Sequence, residues 1–264
     1  MTALLGFAIA LVVGLTGMGG GTFTTPALVL LVGLPAGEAV GTAMIFAAIL
    51  RLLAAPVYLL RKQVHGRYVW VLLLGALPGL LLGTWLLHRM QGASYTPAVL
   101  VSIGIMLAIS SAISFAPRLR NPNFAKQRRS WLSLIAVPIG IETGFSSAGA
   151  GALGSILLLN FSELHPAQVV GTDLVFGIVL AVVGSAFHLG WGSLDRGTLL
   201  QLLAGGIPGV LLGCSMSRML SGAKLRTAVA LVGIALGLQL VWVGSRTLLE
   251  KHNLPKLEAM RTAR

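Results

Sequence analysis

The sequence predicts an all-α integral membrane protein made of two homologous, glycine-broken helical repeats, and three observations carry that expectation. The 264-residue chain is 56% hydrophobic and only 10% charged, with a mean hydropathy of +0.90. Soluble domains carry about 25% charged residues, so this chain lacks the polar surface that water requires. Long apolar stretches recur along its whole length, and the second half repeats the first at a constant spacing. Abundant apolar side chains exclude intrinsic disorder, and the 34 glycines follow no three-residue period, which excludes collagen. Glycine is expected instead where membrane helices pack closely.

Eight apolar stretches fall at 3–33, 39–60, 68–87, 97–116, 131–160, 167–190, 198–217 and 227–248. A bilayer-crossing helix needs ~20 residues, and six of the stretches have about that length. The first and fifth are longer and are interrupted by Gly17-Met18-Gly19-Gly20-Gly21 and by Gly144-Phe145-Ser146-Ser147-Ala148-Gly149-Ala150-Gly151. Each helix-interior glycine costs about 1 kcal/mol, so both clusters are expected to break their helices. The N-terminus lacks the basic region of a signal peptide and its apolarity runs too far, so it is expected to belong to the mature structure.

The internal repeat has an offset of 130 residues. Gly14, Gly19 and Gly21 fall on Gly144, Gly149 and Gly151, and Val40-Gly41-Thr42 falls on Val170-Gly171-Thr172. Phe46 falls on Phe176, and Gly75, Pro78, Gly79 and Gly83 fall on Gly205, Pro208, Gly209 and Gly213. Duplications of this kind are common in secondary transporters. The expected organisation is a first transmembrane repeat at 1–116, a basic cytoplasmic linker at 117–130, a second repeat at 131–248 and a polar tail at 249–264. The two four-residue glycine rows lie on one helix face each and read as packing surfaces, with Pro78 and Pro208 as kinks.

The net charge of +12 would suggest nucleic acid in a soluble protein, but here the basic residues lie between apolar stretches and report orientation. Arg61, Lys62 and Arg67, then Arg118, Arg120, Lys126, Arg128 and Arg129, place the 61–67 and 117–130 connections in the cytoplasm. In the second half the 191–197 connection is neutral (Asp195, Arg196), whereas 218–226 carries Arg218, Lys224 and Arg226. Equivalent connections thus have opposite bias. Three crossings per half reconcile them, with the first segment of each repeat a re-entrant hairpin and the repeats inverted. That arrangement leaves the basic tail (Lys251, Lys256, Arg261, Arg264) outside.

Thr25-Pro26 reads as a helix start, with threonine as cap and proline in the first turn, and Ser155 is its counterpart. Each half would then offer unpaired N–H groups at a helix N-terminus within the membrane, a setting for an anion. Arg51 lies inside the 39–60 stretch, roughly 15 Å from the basic end at ~1.5 Å per residue. It reads either as an anion ligand or as a cation paired with Asp173 or with backbone carbonyls. Its duplicate position is Ala181. Asp173 and Glu142 read either as proton-relay or coupling groups or as helix-end carboxylates near the interface. His188, beside Trp191, reads as interfacial rather than as a ligand. The pattern Gly149-Ala150-Gly151-Ala152-Leu153-Gly154 matches the dinucleotide fingerprint only formally, because no strand precedes it. Cys214 is the single cysteine and has no intrachain disulfide partner. No catalytic triad, carboxylate dyad or metal-ligand cluster stands out, so neither an enzyme nor a cofactor is expected.

The run Gly14-Leu15-Thr16-Gly17-Met18-Gly19-Gly20-Gly21, four further residues, then Pro26-Ala27-Leu28 and Val40-Gly41-Thr42, resembles the TauE/SafE sulfite exporter family. The eight apolar segments, the length and the second glycine-rich half do so too, over roughly 3–248. The resemblance implies movement of a small sulfur-containing anion, such as sulfite, thiosulfate or a sulfonate like sulfoacetate, across the bacterial inner membrane. One departure stands out: the second cluster is poorer in glycine, and Ile156 replaces Pro26.

The reading that results is a multi-pass transporter in which the halves meet around a central anion site. Gly19, Gly20, Gly21, Thr22 and Thr25 form one wall, Ser146, Ser147, Gly149, Gly151 and Ser155 the other, and Arg51 supplies compensating charge. Asp173 and Glu142 are candidates for coupling. The expected partners are the lipid bilayer and the sulfur oxyanion or sulfonate, without nucleic acid; oligomeric state stays open. An anion channel or a non-transporting membrane scaffold are the alternatives.

Overall fold

Glycine placed every four residues on a helix lets a second backbone approach until carbonyls touch the groove. A computed structural model of the chain describes residues 1–16, 20–91, 95–115, 129–191, 193–216 and 222–262, and those residues contain helices and their connections but no strand. The first half comprises α1 (Thr2–Thr16), α2 (Gly21–Ala27, continued by a π-helical turn at Leu28–Val32), α3 (Ala36–Leu60), α4 (Gly66–Arg89) and α5 (Thr96–Ile113). The second comprises α6 (Arg129–Ser146), α7 (Gly149–Phe161), α8 (Pro166–Gly190), α9 (Arg196–Met216) and α10 (Gly222–Thr262). Six helices are long and apolar enough to cross a membrane: α3, α4, α5, α8, α9 and, over Thr227–Leu249, α10. Thr2–Thr16, Gly21–Val32 and Trp131–Ser146 are shorter apolar helices.

Local chemistry sets the helix ends. Gly33 takes φ 79°, and the Leu34 N–H reaches back to the Leu28 carbonyl at 3.2 Å, a Schellman-type stop before Pro35. Pro166 sits in the first turn of α8, and the Gln168 side chain accepts from the His165 N–H at 3.1 Å. Asp195 precedes α9; its Oδ1 accepts the Gly197 N–H (3.0 Å) and its Oδ2 the Thr198 hydroxyl (2.6 Å). These bonds hold the Asp195 carboxyl below its usual range, the Thr198 hydroxyl first.

The glycine rows do pack helices, and they do so between the halves. A Cβ on Gly75, Gly79 or Gly83 of α4 would lie 1.7, 2.2 or 2.2 Å from the carbonyl oxygens of Ser133, Val137 and Ile141 in α6. A Cβ on Gly205, Gly209 or Gly213 of α9 would lie 1.7, 2.5 or 2.4 Å from those of Ala3, Phe7 and Leu11 in α1. The residue numbers rise together, so both pairs are parallel. By contrast α3 and α8 run antiparallel: Gly41 lies against His188, Gly184 against Met44, Gly177 against Arg51 and Gly171 against Gln63. The α5 and α10 pair is antiparallel too, with Gly104 at Gly237 and Gly244 at Pro97.

The repeated Val-Gly-Thr acquires a role that its spacing did not reveal. A Cβ on Gly41 would strike the Ser193 carbonyl oxygen (1.9 Å), and Thr42 Oγ1 accepts the Asp195 N–H at 3.2 Å. Reciprocally, a Cβ on Gly171 would strike the Gln63 carbonyl oxygen (2.6 Å), and Thr172 Oγ1 accepts the His65 N–H at 3.1 Å. Each half therefore clamps the equivalent connection of the other.

Between the helices Phe46 and Phe176 are fully buried. Trp70, Leu74, Leu81, Leu82 and Trp85 are exposed on α4, as are Leu211 and Leu212 on α9. Apolar exposure this extensive has its solvent in lipid.

Candidate functional site

The break between α1 and α2 begins beyond Thr16; Gly17, Met18 and the predicted site residue Gly19 lie outside the described residues. Helix resumes at Gly21, capped by Gly20, and not at Thr25 as the sequence suggested. Pro26 consequently sits inside the helix, where its ring removes an N–H from the ladder. The π-helical turn that follows at Leu28–Val32 relaxes the chain after that loss. A Cβ on Gly20 would lie 3.1 Å from Val13 Cγ2 and 3.7 Å from Ile9 Cγ2, so the chain past the break lies back alongside α1.

The second break is a tighter object. Ser147 adopts φ 63°, Ala150 is extended (φ −71°, ψ 128°) and Gly151 takes φ 112°. Only glycine visits the last conformation without strain. Thr143 holds this turn from α6: its Oγ1 donates to the Ile139 carbonyl (2.7 Å) and accepts the Ala150 N–H (2.9 Å). Ser146 does similar work, donating to the Glu142 carbonyl (2.8 Å) and accepting the Ala148 N–H (3.3 Å). A Cβ on Gly149 would lie 2.7 Å from the Ile139 carbonyl oxygen, so this break too lies back alongside its own preceding helix.

The two breaks meet. A Cβ on Gly21 would lie 1.8 Å from the Ser147 carbonyl oxygen. Thr25 Oγ1 and Ser147 Oγ are 2.7 Å apart, Ser147 Oγ lies 3.4 Å from the Gly21 carbonyl, and Thr22 Oγ1 donates to the Ala148 carbonyl at 3.4 Å. Gly21, Thr22, Thr25 and Ser147 are thus brought together from opposite halves, all buried.

Arg51 reaches the same region from α3 and is 3% exposed. One terminal nitrogen donates to the Gly177 carbonyl of α8 (2.8 Å) and the other to the Ala150 carbonyl of the second break (2.7 Å). Of the two readings open at the outset, backbone carbonyls are its direct partners here, and Asp173 lies within electrostatic range. Asp173, 1% exposed, accepts the Ser155 hydroxyl at 2.7 Å. Ser155 therefore serves α8, whereas its counterpart Thr25 serves the contact between breaks. Gly154 and Gly177 make room for these charges: added Cβ atoms would lie 2.1 Å from Asp173 Oδ1 and 2.8 Å from Arg51 Cζ. Sequence reasoning passed over Gly177 and Thr143 and met Gly154 only in a formal dinucleotide match; a glycine inside a helix was the available signal, because its cost needs a packing reason.

Glu142 is 5% exposed, with Ser110 of α5 beside it and no hydrogen bond to its Oε1 among the described residues. His188 corrects the sequence reading. It lies beside Trp191, but it is fully buried rather than interfacial, because α3 covers it at Gly41 and α6 at Gly144. No group of three His, Cys, Asp or Glu side chains among the described residues has metal-binding placement.

The geometry is thus two broken helices opposed inside a bundle of apolar helices, with a buried cation bonded across them. The family model described as Sulfite exporter TauE/SafE matches residues 2–240. The chain is 29% identical over 249 residues to "Probable membrane transporter protein YjnA" of Bacillus subtilis, covering 90% of this chain and 98% of that protein. It is 27% identical over 242 residues to a "Probable membrane transporter protein" of Haemophilus influenzae, covering 90% and 92% respectively. No solved structure matches it. The chain is a multi-pass membrane protein and belongs to the TauE/SafE sulfite exporter family.

Proposed function

We propose that this protein is a secondary transporter, not an enzyme, that moves a small sulfur-containing anion across the bacterial inner membrane by alternating access. Sulfite, thiosulfate and organosulfonates such as sulfoacetate are the substrate class, in keeping with the family description. The observation that carries the reading is the contact between Thr25 and Ser147 across the two breaks, with Arg51 bonded to one of them. Hydroxyls and backbone donors suit the oxygens of such anions, and a buried guanidinium offsets their charge. In this conformer the two walls touch; parting them would release the Thr25 and Ser147 hydroxyls and the Arg51 fork toward a ligand. Asp173 and Glu142 remain candidates for coupling.

The halves are proposed to be inverted. Antiparallel contact between the equivalent helices α3 and α8, and between α5 and α10, supports a pseudo-two-fold axis in the membrane plane, as do the opposite charges of equivalent connections. Each break lying back alongside its preceding helix supports the re-entrant hairpins.

Flux of labelled sulfite, thiosulfate and sulfoacetate into proteoliposomes tests the function. Saturable counterflow that Ser147→Ala with Thr25→Val weakens is the expected result; flux without saturation would make the protein a channel, and none with any probe would refute transport of this class. Labelling single cysteines near Asp195 and Lys224, after replacing Cys214, tests the topology. Finding the 218–226 connection outside would sink the inversion.

A further inference from the structure

A second polar region lies away from the breaks, at the end of the bundle opposite the basic 61–67 connection. A cavity of about 320 Å³ sits there between the start of α3 and the ends of α4 and α8, lined among others by Glu38, Leu87, Gln91, Thr96, Trp191 and Ser193. Gln91 Nε2 donates to Ser193 Oγ at 3.2 Å along its wall. Trp191 forms part of the floor. Its indole stacks on His88 (centroids 4.3 Å apart, planes 17° apart) and meets His188 edge-on (6.5 Å, 85°). His188 is fully buried behind it.

Among the described residues neither ring nitrogen of His188 makes a well-formed hydrogen bond, although the Gly144 carbonyl lies beside the ring. Nδ1 of His88 is buried without such a bond as well. Buried imidazoles that only fill space are normally bonded, so two unsatisfied rings sharing one indole call for an explanation. Gly144 begins the stretch that leads through Ser146 and Ser147 to the break contact, so His188 stands between cavity and break. The other titratable groups around it are His88 on α4, Glu38 on α3 at the cavity, Glu142 on α6 two residues before Gly144, and Asp195 on the following connection.

We propose that His188 is the proton-binding site of this carrier and that Trp191 is the gate separating it from the cavity. When the indole swings away, a hydronium ion in the cavity transfers one proton to a ring nitrogen of His188 and is left behind as water. The imidazolium so formed has the Gly144 carbonyl as acceptor, and the proton leaves toward the opposite side when the breaks exchange access. Histidine suits this work because a ring nitrogen can take up a proton and give it back. The inference rests on the transporter reading above, with the added content that transport is proton-linked through His188.

Proteoliposomes and a detergent titration test it together, with labelled thiosulfate, sulfite and sulfoacetate as probes. In the wild type both counterflow and acceleration of net flux by an imposed pH gradient are expected. His188→Gln should keep counterflow within about twofold and lose the gradient response. Retention of that response by His188→Gln overturns the proposal, as does wild-type net flux indifferent to the pH gradient while counterflow persists, which would leave the transporter reading intact. Absence of counterflow with every probe would overturn both. A flux-independent readout covers the case in which His188→Gln loses all transport. Emission from Trp191, taken as the difference from Trp191→Phe in a His88→Asn background, should be quenched as His188 gains its proton. A flat trace from neutral through strongly acid pH overturns the proposal.

Discussion

In the first half the break leads into α2 through Gly20 and Gly21, surrounded by threonine hydroxyls and apolar side chains, whereas in the second half it is a strained turn held by side chains. Ser147 and Gly151 take positive φ, and Thr143, Ser146 and Arg51 tie the turn's backbone groups to α6 and α3. The charges divide in the same way. Glu142 and Asp173 belong to the second half and have Val12 and Ala43 as counterparts, while Arg51 belongs to the first and has Ala181. Duplication supplied two equal frames, and the polar groups were then distributed so that the cation of one frame serves the carbonyls of the other. The α4–α6 and α9–α1 contacts, by contrast, stayed alike to the residue. What differs between halves is the site; what is shared is the scaffold.

That contrast predicts a graded response to substitution. Arg51→Ala should have the largest effect, because it removes the buried bonds to the Gly177 and Ala150 carbonyls and the cation beside Asp173. A loss of about 3 kcal/mol is expected from breaking such a buried network, read as a lower melting temperature and lost anion binding. Arg51→Lys should recover little, since one ammonium cannot fork to two carbonyls. Unchanged stability and binding in Arg51→Ala would remove the cation from the site. Gly21→Val comes next. Its Cβ would meet the Ser147 carbonyl, and overpacking of this kind costs about 1–3 kcal/mol, visible as a poorly dispersed peak in size-exclusion chromatography.

Thr25→Val and Ser147→Ala each remove one partner of the 2.7 Å hydroxyl pair. A double-mutant cycle on the melting temperature should give a coupling of about 1 kcal/mol. Additive effects would mean that the breaks are not energetically joined. Thr42→Val and Thr172→Val probe the scaffold instead, and each should cost under about 1 kcal/mol and by similar amounts. Clearly unequal losses would show that the reciprocal clamps are not equivalent.

Asp195 should give the smallest effect. Its partly exposed carboxylate caps α9, whereas His65, at the equivalent place before α4, makes no side-chain cap bond. Because its folded pKa lies below the unfolded value of about 3.9, the cap contributes fully above that value and is lost as pH falls through the lower one. The stability difference between wild type and Asp195→Asn should therefore be flat from neutral to mildly acid pH and shrink only in strong acid. Solvent screening keeps it small.

Much of this architecture was legible in order of residues alone. Apolar length marked the six candidate spans, because a bilayer sets how many residues a helix must bury. The duplicated Gly-x-x-Pro-Gly-x-x-x-Gly announced close packing, and both glycine clusters fell where the helices break. The start of α2 was misplaced because threonine before proline is a good local cap signal, and only the contact of Gly21 with Ser147 favours an earlier start. His188 was misread for a related reason: nearness to a span's end says nothing about which helices cover that end.

The order of residues alone established the membrane environment, the two repeats, the places of the glycine breaks and Arg51 as a cation deep within an apolar stretch. Those properties follow from composition and periodicity, which act locally along the chain. Which partners the charges take was decided by tertiary structure. Arg51 and the Ala150 carbonyl are 99 residues apart and Thr25 and Ser147 are 122 apart, so no pattern within either repeat encodes the bond. Such pairs exist only because glycine lets helices of opposite halves approach to carbonyl contact. That approach leaves a buried guanidinium and a buried hydroxyl with one remaining source of partners, the other half of the molecule.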